Sequence, residues 1–171
     1  EAVSTMTLDR REMQFLELSR GADESAANAL FSLGALRYDR LNDRQGAIDA
    51  WRAYIDRFPQ GALRSEVHGA LFEALLRQGK SAAAVAHGEA ALEGMESATR
   101  RRRLMLELAE VLLNKLDDSE RAQAQLVQLT GERDPLGERA TFLLAGARAR
   151  SGDVEGAREM LRKYLEWYPE G

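Results

Sequence analysis

The chain has 171 residues, 44% of them apolar, no cysteine and a formal net charge of -4, which suits one domain with a continuous core. A pI near 5.4 argues against nucleic acid or an anionic membrane as partner, and the missing thiols exclude disulfides, thiolate metal sites and thiol catalysis. The longest uninterrupted apolar run, Ala82 to Ala86, is far short of the ~20 residues that span a bilayer.

Few β-branched residues and three prolines among abundant Ala, Leu, Arg and Glu predict an all-helical chain. Residues 8–19 form the first amphipathic helix, with Leu8, Met13, Phe15, Leu16 and Leu18 as its apolar content. A turn at Gly21-Ala22-Asp23 follows. Four helix pairs then succeed one another. The first carries Leu30, Leu33, Gly34, Tyr38 and Leu41 on one helix and Ala47, Ile48, Trp51, Tyr54, Ile55 and Phe58 on the next. The second aligns Val67, Ala70, Leu71, Ala74 and Leu75, then Ala84, Gly88, Ala91, Leu92 and Met95. The third aligns Met105, Leu106, Ala109, Leu112, Leu113 and Leu116, then Ala122, Leu126 and Leu129. The fourth aligns Ala140, Leu143, Leu144 and Ala147, then Val154, Ala157, Leu161, Tyr164, Leu165 and Tyr168. Each set follows the spacing of a one-sided helix.

The pairs are copies of one unit. Tyr54-Ile55-Asp56-Arg57-Phe58-Pro59-Gln60-Gly61 returns 110 residues later as Tyr164-Leu165-Glu166-Trp167-Tyr168-Pro169-Glu170-Gly171. An alanine just inside each second helix, at Ala47, Ala84, Ala122 and Ala157, recurs in steps of 37, 38 and 35 residues. Before each lies a turn: Asn42-Asp43, Gln78-Gly79, Asp117-Asp118 and Ser151-Gly152-Asp153. Gly and Asn tolerate the left-handed backbone that ends a helix, and Asp and Ser cap the amides of the next. Gly34, Ala47, Ala84, Gly88, Ala122, Ala145 and Ala157 are expected where helix backbones approach closely, with Trp51, Leu126 and Leu161 filling the space one turn along. A two-helix unit cannot bury its stripe alone, so the units must stack.

This pattern resembles the tetratricopeptide repeat: an aromatic or aliphatic residue in helix A, Tyr one face later, Ala early in helix B, a bulky residue four on, and a closing Pro. Phe31, Tyr38, Ala47, Trp51 and Pro59 match it in the first unit, and Leu144, Gly152, Ala157, Leu161 and Pro169 in the fourth. The second unit has Glu96 where the closing Pro belongs, and the third displaces its Pro to Pro135. The resemblance covers about residues 28–171. It implies a single right-handed α-solenoid of about nine helices, with a half repeat at 8–20 and repeats at 22–61, 62–97, 98–133 and 134–171. The endings are also similar to those of bacterial envelope repeats, such as the Tol-Pal cell-division coordinator and the outer-membrane assembly lipoprotein. That likeness tilts the expected location toward the periplasm or cell envelope over the cytoplasm. The basic set, in which only Lys80, Lys115 and Lys163 are not Arg, reads as GC-rich bacterial base composition and carries no mechanism. A chain opening at Glu1 and stopping after a repeat-closing Pro is expected to be an excised segment of a longer solenoid, or one that stacks end to end.

Catalytic and metal-binding constellations do not emerge. His68 and His87 lie on the two helices of the second unit, and Glu66 and His68 face different sides, so both histidines read as surface or seam residues and no metal is expected. Gly79-Lys80-Ser81 lacks the earlier Gly and preceding strand of a phosphate loop, so it is a turn. Arg100 to Arg103 is the only basic run, and its acidic neighbours Glu93, Glu96 and Glu107 favour a locally paired surface over nucleic acid.

The resemblance implies that the A helices line a docking groove, here through Ser32, Leu36, Asp39, Glu66, Glu73, Glu107, Val111, Asn114 and Phe142. The lysine-asparagine clamp that some members use for a terminal carboxylate is missing, and the glutamates would repel such a group. The expected partner is a protein segment with basic and apolar residues, held by a scaffold that is not an enzyme and carries no cofactor. The alternatives are a self-assembling envelope subunit using its exposed terminal helices, and the regulatory tail of a transcription or anti-sigma regulator.

Overall fold

A computed structural model describes the backbone of residues 2–169 and the side chains of residues 7–169. Glu170 and Gly171, the end of the repeated phrase, lie outside the described residues. The described residues form nine helices and no strand: α1 (Ala2–Leu18), α2 (Glu24–Asp39), α3 (Arg44–Arg57), α4 (Arg64–Arg77), α5 (Ser81–Glu93), α6 (Ala98–Lys115), α7 (Ser119–Val127), α8 (Pro135–Arg150) and α9 (Val154–Trp167). They belong to two compact units, Glu1–Gly94 and Met95–Gly171. None of these helices is long and apolar enough to cross a membrane.

The helix boundaries follow from local chemistry. Asp23, Asp43, Asp118, Asp134 and Asp153 each cap a helix by accepting the backbone N–H three residues on, and Ser97 does the same for α6. Each cap satisfies a donor that the helix start would otherwise leave unpaired. Asn42, Gly79, Asp117 and Gly152 occupy the left-handed region, one in each turn between paired helices, with φ of 54, 73, 52 and 85°. The first helix begins earlier than its apolar pattern suggests, at Ala2 rather than Leu8.

In the first unit, α2 packs on α1 and α3, α3 also on α4, and α4 on α5. The tightest approach is at Gly34: a Cβ there would overlap the Trp51 indole. Trp51 is 4% exposed, its Nε1 donates to the Phe31 carbonyl at 3.3 Å, and its ring lies 5.7 Å from that of Tyr38. The indole therefore fills its own hairpin. Tyr54 is equally buried; its hydroxyl accepts the Leu63 N–H at 3.0 Å and so ties down the connector into α4. Arg57 holds the α1–α2 turn by donating to the Ser19 carbonyl at 2.7 Å and to that of Gly21.

In the second unit, α6 packs on α7 and α8, α7 on α8, and α8 on α9. The core runs through Leu108, Leu112, Ala122, Leu126, Leu129, Ala140 and Leu144. α7 stops at Val127, yet Leu129 stays buried in the turn beyond it. One expectation is corrected here. Leu161 does not fill the hairpin: it is 43% exposed, while Met160 is buried in its place. The apolar stripe of α9 is wider than the strip α8 covers. Gly156, Ala157 and Met160 are buried, while Val154, Leu161 and Leu165 face outward.

Candidate functional site

The positions expected to line a docking surface are best taken unit by unit. On α2 of the first unit, Ser32 is half-buried and Asp39 exposed, whereas Leu36 is 8% exposed. Leu36 therefore packs in the core with Leu33 and offers no docking surface, which corrects that assignment. Ala29, one turn before Leu33, is buried too. On α4, Glu66 and Glu73 are both exposed and stand two turns apart on one face, with Val67, Leu71 and Leu75 buried behind them.

On α6 of the second unit, Glu107 and Asn114 are exposed and Val111 is half-buried between them. The side chain of Arg139 on α8 reaches across to α6, where its Nε donates to Glu110 Oε1 at 2.9 Å. That ion pair sets the α6 stripe beside the outer face of α8, which presents Phe142 at 50% exposure. Next to it Pro135, Glu138, Arg139, Phe142 and Tyr164 line a cleft of about 360 Å³. The rings of Phe142 and Tyr164 are 5.7 Å apart, and the Tyr164 hydroxyl donates to Glu138 Oε1 at 3.3 Å. Sequence reasoning found Phe142 but missed Glu138 and Tyr164 as its companions. The i, i+4 spacing of Glu138 and Phe142 was a readable signal; the arrival of Tyr164 from α9 was not.

The basic run is in use. Arg102 donates to both Asp134 oxygens, at 2.5 and 3.0 Å, and approaches Glu132 at 2.9 Å. Its guanidinium and the Gly137 N–H together hold the Asp134 carboxyl down at about 2. The aromatic end of the chain is covered as well. Trp167 lies under the cations of Arg133 and Lys163, 4.5 and 4.3 Å from the ring centre, and the Tyr168 hydroxyl donates to the Glu132 carbonyl at 3.1 Å.

The two histidines meet at the seam of α4 and α5, Nδ1 to Nδ1, at 2.9 Å. Such a bond needs one ring to donate and the other to accept. Burial, helped by His87 and Arg64 and opposed by Glu93, pulls His68 down to about 4; burial and Arg52 also lower His87. Among the described residues no group of three or more His, Cys, Asp or Glu converges to hold a metal ion.

Residues 28–61 match the tetratricopeptide repeat family model. Two solved structures share the fold over nearly the whole chain. One is a Podosopora anserina chain of nearly identical TPR-like repeats, assigned as a kinesin light chain: 15% identical, TM-score 0.68, covering 95% of this chain and 86% of that one. The other is the MamA protein: 17% identical, TM-score 0.66, covering 98% of this chain and 86% of that one. No curated protein matches in sequence. Tetratricopeptide repeats are generally non-enzymatic scaffolds that bind protein partners, and the comparisons indicate no catalytic family.

The histidine seam sets a pH dependence. An unfolded His68 takes up a proton near 6.5, the folded one only near 4. Between those values the unfolded state binds more protons, so stability is fully present above pH 6.5 and falls as pH drops toward 4. Thermal melts across this window should show a shallower fall in the midpoint for His68→Gln than for the wild type. Parallel profiles would remove the seam from the account.

Proposed function

We propose that this chain is a scaffold whose A helices present acidic-apolar stripes to a partner segment rich in basic and apolar residues. The observation that carries this reading is the placement of Glu66 and Glu73 on α4 and of Glu107 on α6. All three are exposed, and within the second unit α6 also carries the half-buried Val111 and α8 the exposed Phe142. Asp39, Ser32 and Asn114 complete the stripes with polar groups. Carboxylates at the rim of a docking surface steer and select cationic partners more than they add raw affinity. Peptides selected from a random display library should be enriched in Arg or Lys with apolar residues. Replacing Glu66, Glu73 and Glu107 together by Gln should weaken them about 10-fold, equivalent to ~1.4 kcal/mol, in a variant shown to be folded. Enrichment of acidic peptides, or unaltered affinity in the triple variant, would contradict it.

A second reading, self-association, draws on the outward face of α9. Leu165 is 69% exposed there, beside Val154 and Leu161, and an apolar stripe of this kind commonly marks an association surface. Trp167 and Tyr168, shielded as described, are poorer candidates. Sedimentation over a range of concentrations should show association that Leu165→Glu abolishes; a monomer at every concentration would discard this reading. The aromatic-proline endings support a place in the bacterial envelope, and a regulatory tail is the other setting in which such a scaffold would serve.

A further inference from the structure

The cleft between α8 and α9 carries chemistry that the repeat framework does not require. We propose that it seats the cationic side chain of a partner peptide, an arginine or lysine, with its charge on the Glu138 carboxylate and its stem across the exposed face of Phe142. The proposal rests on the reading that the chain docks a basic peptide, and it names where one basic residue goes.

The lining has the right polarity. Aromatic rings present a negative face that attracts cations, and half of Phe142 is open to solvent. Glu138 adds a carboxylate held in place by the Tyr164 hydroxyl at 3.3 Å. Partial desolvation and Glu138 itself push that hydroxyl above its ordinary range, so it remains a donor at neutral pH. Arg139, the cation in the lining, is turned onto Glu110 at 2.9 Å, which leaves Glu138 to set the sign. The first turn of α8 would by itself disfavour a cation, but the C-terminal end of antiparallel α9 lies alongside with the opposite partial charge. The same aromatic row already accepts cations one step away, where Arg133 and Lys163 cover Trp167.

The first hairpin offers the internal point of comparison. Matching the caps Asp23 and Asp134 places Phe31 at the position of Phe142 and Ala27 at that of Glu138, while the repeated phrase places Tyr54 at Tyr164. In the first hairpin the tyrosine hydroxyl is occupied by polypeptide: it accepts the Leu63 N–H at 3.0 Å, and a Cβ on Gly61 would overlap it. The tyrosine of that hairpin thus holds backbone of the turn that leads into α4. The first hairpin folds with Ala27, buried, at the equivalent position, so packing does not demand an acid at Glu138. The exchange of alanine for glutamate changes the charge that the seat favours. A cleft of about 360 Å³ has room for a long side chain and the backbone that carries it.

The test uses the full chain, isotope-labelled for NMR, titrated with N-acetyl-arginine amide and with N-acetyl-citrulline amide, which keeps the length and planar head but lacks the charge. The arginine compound should give saturable shifts at Phe142, Tyr164 and Glu138. The citrulline compound should bind about 10-fold more weakly or less, and Glu138→Gln should weaken arginine binding by about 10-fold, the scale of a charge-assisted hydrogen bond. Phe142→Leu, which keeps an apolar side chain, should weaken it as well. Equal shifts with citrulline, shifts elsewhere with these residues unmoved, or wild-type affinity in a folded Glu138→Gln variant would overturn the proposal. Basic library peptides that bind without any arginine seat would remove this site and leave the wider docking reading intact. An arginine seat in a chain that selects acidic peptides would do the reverse.

Discussion

The structure depends on helix backbones coming closer within each hairpin than ordinary side chains allow. Gly34 has no Cβ because Trp51 occupies that space, and Ala47, Ala84, Ala122 and Ala157 repeat the small-residue entry in every second helix. Close packing of this kind makes a core stiff and sensitive to single methylene groups. It also confines the apolar stripes to one side of each A helix. Glu66, Glu73 and Glu107 are exposed on the other side, within reach of a partner.

Copies of one unit have taken different tasks. The phrase beginning at Tyr54 closes the first hairpin and anchors the chain that leads into α4, with Tyr54 accepting the Leu63 amide. Its second copy puts Tyr164 against Glu138 and leaves Phe142 open beside them. The third unit, the most degenerate in sequence, keeps its geometry by other means: Arg102 clamps Asp134 and Glu132, and Lys163 donates to the Thr130 carbonyl at 2.9 Å. The connector that lacks a closing proline in the usual place is held by charge and by α9.

Local signals were legible in the sequence and long-range ones were not. The four turns could be read because left-handed backbone and N-capping select particular residues, and Asn42, Gly79, Asp117 and Gly152 take that conformation. The small residues at the helix crossings were legible through periodicity. Leu161 and Leu36 were misassigned because a stripe wider than one neighbour can be covered from either edge, and the pattern alone does not say which edge. The partners of Arg102 lie about thirty residues away across a connector, and the His68–His87 seam joins two helices; neither pairing has a local sequence signature. The cleft at Glu138 escaped for the same reason, since Tyr164 reaches it from another helix.

The central claim is that Gly34 and Trp51 share one volume. A Cβ at position 34 needs space that the indole occupies, so a smaller apolar side chain at position 51 is the matched exchange to measure. A double-mutant cycle on Gly34→Ala and Trp51→Leu, read by chemical denaturation, tests it most directly. Overpacking should make Gly34→Ala costly by about 1–3 kcal/mol. In the double variant the smaller leucine should relieve that clash, giving a favourable coupling of about 1 kcal/mol or more. Additive losses within about 0.5 kcal/mol would contradict the account, because the two residues would then not compete for the same space.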